Sequence, residues 1–375
     1  EEPQPPVPSY EDCVAAMQGW GKEIVERCAA HDEHGKIQWT SWHNQVWGGV
    51  AGNAKRWMRC TMVNADPELP GLNVWQKRNE WYDKTVTKWA ERGQELDGMY
   101  IDQVILVGTE NYRRDHFAYA DRPLPYSTRT MRPVLPIWLS SAEYYRAWYD
   151  KMRGEGKLMM GNIPPRGHTF YAWFFDVIGS EVSPSRQQAA DTDLRRTLGY
   201  QRPISLLMEW HWEHKPIISA EEMEAYINRC LFWAIFPGIS NAGPEGGMNY
   251  WQHPELYERD RATFRKHLPA IHKMALAGWE PITYAVCEPR EVWVERYGPD
   301  AEGRVYFTLR SEGQARAGRL LIDLGALGIS PDAKLRVKDL VSGEEVEAGR
   351  NGKTLSVRVE VGEDRSEALV VEPVT

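Results

Sequence analysis

The sequence predicts an α/β chain in two parts: a (β/α)8 barrel over residues 1–278 and an antiparallel β-sandwich over residues 279–375. Three observations predict it. Between residues 37 and 276 short apolar runs alternate with amphipathic helical stretches, the pattern of a parallel sheet with helical crossovers. No glycine-rich phosphate loop follows any of those runs, which argues against an open doubly wound sheet. From Trp279 onward short strands succeed one another across turn signals such as Gly298-Pro299-Asp300 and Ser342-Gly343-Glu344, which is sandwich spacing.

Residues 1–9 form a Pro-rich arm, and the period of Val14, Met17, Ile24, Val25 and Cys28 predicts a helix over Tyr10–His31. Strands are expected at Ile37–Thr40 and Trp57–Val63, with an aromatic, hydrogen-bonding loop over residues 41–47. A helix over Asn73–Arg92 carries Trp81, Val86 and Trp89 inward, and a short buried strand then ends at Asp102. Residues 105–139 read as one long, basic, Pro-rich loop, and loops of that length are usually functional. Ser140 and Glu143 fit a capping box opening a helix to Arg153. Strands follow at Lys157–Met160 and Trp173–Ile178, then a helix over Arg186–Leu198 and a strand at Ile204–Met208. Ser219 and Glu222 fit a second capping box, for a helix ending at Phe236. A last short strand at Gly238–Asn241 and a helix at Pro254–Leu276 complete the alternation. The sandwich strands are expected at 292–297, 305–309, 320–323, 335–339, 355–361 and 368–371. This makes about seven parallel strands where a barrel has eight. One or two N-terminal βα units are therefore expected to be missing from the chain, to be supplied by a partner segment, or to lie in a segment read otherwise.

Composition narrows the function classes. A net charge of −8 argues against a nucleic-acid surface. No apolar run approaches the ~18 residues of a membrane span. The five cysteines show no CxxC or zinc spacing, so neither a metal site nor a disulfide framework is expected. Cys13 and Cys28, on one helix, would stand roughly 22 Å apart, too far to bridge. No cofactor is implied. The chain opens Glu1-Glu2-Pro3-Gln4-Pro5-Pro6, as expected of a processed or truncated product. The compartment stays open, with a secreted or periplasmic setting slightly favoured over the cytoplasm. Seventeen tryptophans stand beside 17 tyrosines. Trp and Tyr offer an apolar face with a polar edge, which suits sugar rings.

Acids follow three of the predicted strands: Asp102, Glu181 and Glu209. In a barrel of alternating strands and helices that end of the strand is where catalytic groups sit. Glycoside hydrolysis needs two carboxylates, one acting as nucleophile or base and one as acid. Asp102 is the first candidate. Glu209 gains from Trp210, His211 and Trp212, which would desolvate it; Glu181 approaches through the flexible Gly179-Ser180. Around them Trp42, His43, Asp66, Asn162, His168, Trp210, His211 and Asn241 are candidates for holding a sugar. Arg113 and Arg114 read as a clamp for an anionic sugar or as a solvated face.

Leu96-Asp97-Gly98-Met99-Tyr100-Ile101-Asp102-Gln103, with Lys157-Leu158-Met159-Met160-Gly161-Asn162 and the sandwich after it, resembles glycoside hydrolases of the retaining α-glycosidase type. These are the α-galactosidase and α-amylase-like clans, and the likeness is greatest to bacterial members with a Tyr-Ile-Asp-Gln strand. The resemblance implies a (β/α)8 barrel with a C-terminal sandwich and an oligosaccharide or polysaccharide substrate. It implies Asp102 as nucleophile. Met160 stands where relatives would carry an acid before Gly-Asn, which leaves Glu181 as the acid/base consistent with the family. The rival expectation is a non-catalytic carbohydrate-binding protein, or a subunit of a larger glycosidase. A third is a polysaccharide lyase or esterase using His168 or His211.

Overall fold

The computed structural model describes residues 19–44, 56–102, 104, 109–162, 169–182, 189–210, 216–243 and 249–374. By internal contacts the chain forms two units, Glu1–Asp176 and Val177–Thr375.

In the first unit, helix α1 (Gly19–Cys28) ends three residues before the expected His31, and residues 10–18 of the expected helix lie outside the described residues. Its end is set by pairing: Ala29 and His31 leave the helix to bridge Val63 and Ile37. Strands β1 (Trp39–Asn44) and β2 (Arg56–Thr61) correct the sequence reading. They pair with each other antiparallel, with Trp42 opposite Met58 and His43 opposite Trp57, and are not parallel barrel strands. Parallel pairing needs a crossover of a dozen residues or more, and only eleven residues, 45–55, separate these two strands. Trp42 and His43 thus lie within a strand rather than in a loop after one.

Helix α2 (Val74–Ala90) starts where expected, because the Asn73 side chain accepts a hydrogen bond from the Gln76 amide. Its inward face differs: Tyr82 is buried, while Trp81 is 57% exposed. Strand β3 (Gly98–Ile101) follows. The expected long loop contains a two-residue antiparallel pair, β4 (Glu110–Asn111) with β5 (Leu135–Pro136), and a 3-10 turn at Arg114–Tyr119. Helix α3 (Ile137–Gly154) begins at Ile137, directly after Pro136. Ser140 is therefore inside the helix, its hydroxyl donating to the Ile137 carbonyl, and does not cap it. Strand β6 (Leu158–Asn162) then pairs parallel with β3, Gly98 opposite Leu158 and Ile101 opposite Gly161. Aromatic rings fill the space between α2 and α3. The Trp148 ring lies 4.7 Å from Trp75 and 5.5 Å from Tyr82, both edge-on. Part of the aromatic excess is therefore core, where edge-on pairs add about 0.5–1.5 kcal/mol each.

In the second unit, strand β7 (Val177–Val182) is shifted from the expected 173–178, and a 3-10 turn at Thr169–Phe174 occupies the preceding residues. Helix α4 (Ala189–Gly199) leads to strand β8 (Ile204–Glu209). Helix α5 (Ala220–Trp233) opens on a complete Ser219/Glu222 capping box, as its sequence implies. It stops at Trp233 because Ala234 turns left-handed. Strand β9 (Phe236–Asn241) and helix α6 (Pro254–Ala277) close the α/β part. Strand β8 pairs parallel with both β7 and β9. In this unit the parallel strands run in the order β7-β8-β9.

The C-terminal strands are β10 (Trp279–Glu280), β11 (Ala285–Glu288), β12 (Trp293–Tyr297), β13 (Val305–Arg310), β14 (Arg316–Asp323), β15 (Leu335–Asp339), β16 (Ala348–Asn351), β17 (Thr354–Val361) and β18 (Ser366–Pro373). They form two antiparallel sheets, β10-β12-β13-β18-β15 and β11-β14-β17-β16. The core between them is aliphatic: Val305, Phe307, Leu309, Leu320, Ile322, Val357 and Leu369 are buried together. Every residue of β13 is buried, so both its faces are covered. On the outer face, the Tyr297 and Thr308 hydroxyls donate to the Phe232 carbonyl at 2.7 and 2.6 Å. Phe232 lies in the last turn of α5, where a carbonyl has no helical partner. The sandwich supplies two.

Close backbone approach demands glycine at Gly98, where an added Cβ would stand 2.1 Å from the Leu158 carbonyl oxygen. Gly98→Ala is expected to push β3 off β6, costing about 1–3 kcal/mol. Thermal unfolding of the variant checks this; an unchanged Tm would contradict the close approach.

Candidate active site

Each unit carries candidate acids of its own. In the first unit, the β3/β6 register brings Asp102, just past β3, level with Asn162, the last residue of β6. The Asn162 amide nitrogen donates to Asp102 Oδ1 at 2.9 Å, and the Tyr100 hydroxyl donates to the same oxygen at 3.3 Å. The Val104 amide donates to the Asn162 carbonyl at 3.1 Å, fixing the chain on both sides of Asp102. Asn162 is 7% exposed, so the donor is buried while the acid it holds is exposed. This corrects the expectation of a buried strand. β3 is only half-buried and Asp102, past its end, is exposed, so the carboxylate does not carry the cost of a charge at the end of a core strand. His168 lies outside the described residues.

Two further charged residues of the first unit have structural duties. Asp176 accepts from the Met159 amide at 2.9 Å and pairs with Arg153 at 3.0 Å, which pins β6 from below. Arg113, read as half of an anion clamp, forks onto Asp115 and donates to the Glu26 carbonyl at 2.8 Å.

Asp66 stands elsewhere in the first unit. It is 1% exposed, its Oδ1 accepts from the Glu68 amide at 2.8 Å, and its carboxyl meets that of Glu143. The Glu143 carboxyl is pushed up to about 7, by burial first and then by Asp66. The sequence pointed to neither the contact nor Glu143, which fits a helix cap by spacing. The partners are far apart in the chain, and no local period joins them.

In the second unit, Glu181 lies inside β7, opposite Leu207, rather than in a loop behind Gly179-Ser180. It is half-buried. Glu209 is the last residue of β8. The β8/β9 ladder slips there, Met208 opposing Ile239 but Glu209 opposing Asn241. The slip leaves Ser240 out of register, and its hydroxyl donates to Glu209 Oε1. A ladder irregularity that re-aims one side chain is a recurrent device next to active sites. Ser240 has no signal in the sequence, because register is not written in local composition. Asn241 is buried, with Oδ1 accepting from the Gly243 amide at 3.0 Å. Trp210 is 2% exposed and its indole N–H donates to the Pro216 carbonyl at 2.6 Å, which places it in the core. His211 lies outside the described residues. Among the described residues, no group of three or more His, Cys, Asp or Glu could hold a metal ion, and no helix is long and apolar enough to cross a membrane.

The chemistry available is that of carboxylates at the C-terminal ends of parallel strands, each with a neutral donor on one oxygen in the cases of Asp102 and Glu209. No protein-family model matches the chain, and no curated protein is similar to it. Solved structures similar to it include a noncanonic maltogenic α-amylase from Thermotoga neapolitana (12% identity, TM-score 0.45, 79% of this chain and 66% of that one). A β-L-arabinopyranosidase from Geobacillus stearothermophilus follows at 12% identity and a TM-score of 0.34, covering 78% of each chain. An α-galactosidase from Mortierella vinacea has 11% identity and a TM-score of 0.39, over 62% of this chain and 63% of that one. The chain thus spans just under two thirds of the amylase. Scores and identities this low leave any activity to be argued from the residues themselves.

Proposed function

We propose that the chain is a glycoside hydrolase acting on an oligosaccharide or polysaccharide by a two-carboxylate, retaining mechanism. The observation that carries this is Asp102, exposed past the end of β3 and held on one oxygen by a buried amide, Asn162. Such a holder fixes the carboxylate's direction without neutralising it, as a nucleophile requires. Asp102 attacks the anomeric carbon to form a glycosyl-enzyme and the leaving oxygen departs. Glu181 or Glu209 donates the proton to that oxygen and then activates water. On this reading the five described strands belong to a (β/α)8 barrel within residues 1–278, and residues 279–375 are its accessory sandwich.

A second reading is a carbohydrate-binding protein without catalysis. Met160, half-buried within β6, favours it, since the resemblance places an acid there. A panel of aryl α- and β-glycosides separates the two. Cleavage with product of retained configuration supports the enzyme. No cleavage, together with oligosaccharide binding that quenches tryptophan fluorescence, supports the binder.

Asn162→Ala is expected to lower kcat about 10- to 100-fold with little change in KM, the weight of one hydrogen bond to a charged group. Steady-state kinetics on the best aryl glycoside measures this; a change in kcat of less than about twofold would return Asn162 to a turn-forming role.

A further inference from the structure

The first unit also contains two carboxyls, Asp66 and Glu143, that line one cavity and each keep one oxygen buried without a donor. Asp66 Oδ1 accepts from the Glu68 amide at 2.8 Å, and Glu143 Oε1 accepts from the Asp121 amide at 2.8 Å. The other two oxygens, Asp66 Oδ2 and Glu143 Oε2, are buried, and no N–H or O–H of another group reaches them. The two carboxyls line one cavity, and each shifts the other's titration. Two carboxylates are acceptors only, so a hydrogen bond between them forms only when one of them is protonated.

The pair joins three segments that are distant in sequence. Asp66 lies in the turn after β2, which is closed by the Leu69 amide on the Asp66 carbonyl and leads to the α2 cap at Asn73. Asp121 follows the Arg114–Tyr119 turn, and Glu143 lies on α3. The surroundings offer no compensating charge. Glu68, Asp121, Arg146 and Asp150 line the same cavity, of about 180 Å3, and the single cation, Arg146, sits 3.8 Å from Asp150.

We propose that Asp66 and Glu143 share one proton as a pH-operated staple, and that losing it frees the 64–73 turn and the Asp121 segment from α3. Above its release pH the pair becomes two adjacent carboxylates among three more. Like charges in a buried setting repel and are poorly hydrated. Burial raises both carboxyls, Glu143 up to about 7. In the unfolded chain the same groups release their protons in the ordinary carboxylate range, near 4.5 for a glutamate. Between these limits the folded state holds more protons than the unfolded state. The staple is therefore complete at low pH and weakens as pH rises through neutrality.

Hydrogen exchange measured by mass spectrometry on the whole chain, corrected for the intrinsic rate, tests this. In the wild type, opening of peptides covering 64–73 and 119–123 should increase about fivefold from pH 7 to pH 8. In Glu143→Gln the amide supplies a permanent donor to Asp66, so opening should be flat over that range. Asp66→Asn supplies a donor from the other side and should be flat as well. Parallel pH dependence in wild type and both variants would overturn the proposal, since some other group would then be titrating. Failure of Glu143→Gln to fold would also overturn it, because a neutral donor of the same shape should replace the shared proton.

Discussion

Asp102→Asn is expected to abolish glycoside cleavage, with kcat falling at least about 10^4-fold, while substrate binding changes little. An amide of the same shape keeps the Asn162 and Tyr100 contacts within reach but cannot attack an anomeric carbon. Loss of a nucleophile that works in concert with other groups costs about as much as loss of the whole machinery. Steady-state kinetics on the best aryl glycoside, with tryptophan quenching as the binding control, measures both halves. A fall of less than about tenfold would move the nucleophile away from Asp102 and take the retaining mechanism with it.

The second large effect separates Glu181 from Glu209. One of the two, changed to Gln, should lose about 10^2- to 10^4-fold in kcat, the usual contribution of a positioned general acid–base. Azide should restore turnover in that variant by attacking the glycosyl-enzyme without needing a base. The other variant should stay within about tenfold of the wild type. The stereochemistry of the product adds a geometric check: retention needs carboxyl groups about 5–5.5 Å apart, inversion about 6.5–9.5 Å. If neither variant responds to azide although Asp102→Asn is dead, the acid/base lies among residues not named here. The Ser240 hydroxyl on Glu209 Oε1 gives the two glutamates unlike settings, one in a ladder slip and one inside a regular strand.

Much of the architecture was legible in local sequence. The Ser219/Glu222 box, the helix start at Asn73, the strand before Asp102 and β15 at Leu335–Asp339 rest on interactions a few residues long, and such interactions leave a spacing signature. Partner choice does not. The strand Arg56–Thr61 lies close to its expected place, while Trp39–Asn44 runs through residues expected as a loop, and what each pairs with depends on the connection between them rather than on either strand. The α3 start was misread because Ser140 and Glu143 satisfy a capping pattern that Pro136 pre-empts four residues earlier. The exposure of Asp102 goes with a β3 that is only half-buried, and burial is set by packing that no window of sequence contains. The same holds for Ser240 and for the Asp66–Glu143 contact.

The clasp on Phe232 has a consequence for how such a chain can be inherited. A helix whose final carbonyl is held by Tyr297 and Thr308 is finished only when the sandwich is present. The boundary near residue 278 looks like a seam in the sequence, yet a genetic crossover there would join a helix end to a sandwich that had not evolved to complete it. New combinations would begin with unsatisfied backbone at that junction. Exchange of sandwiches between lineages should therefore be rare, and the α/β part and its β cap should descend as one unit.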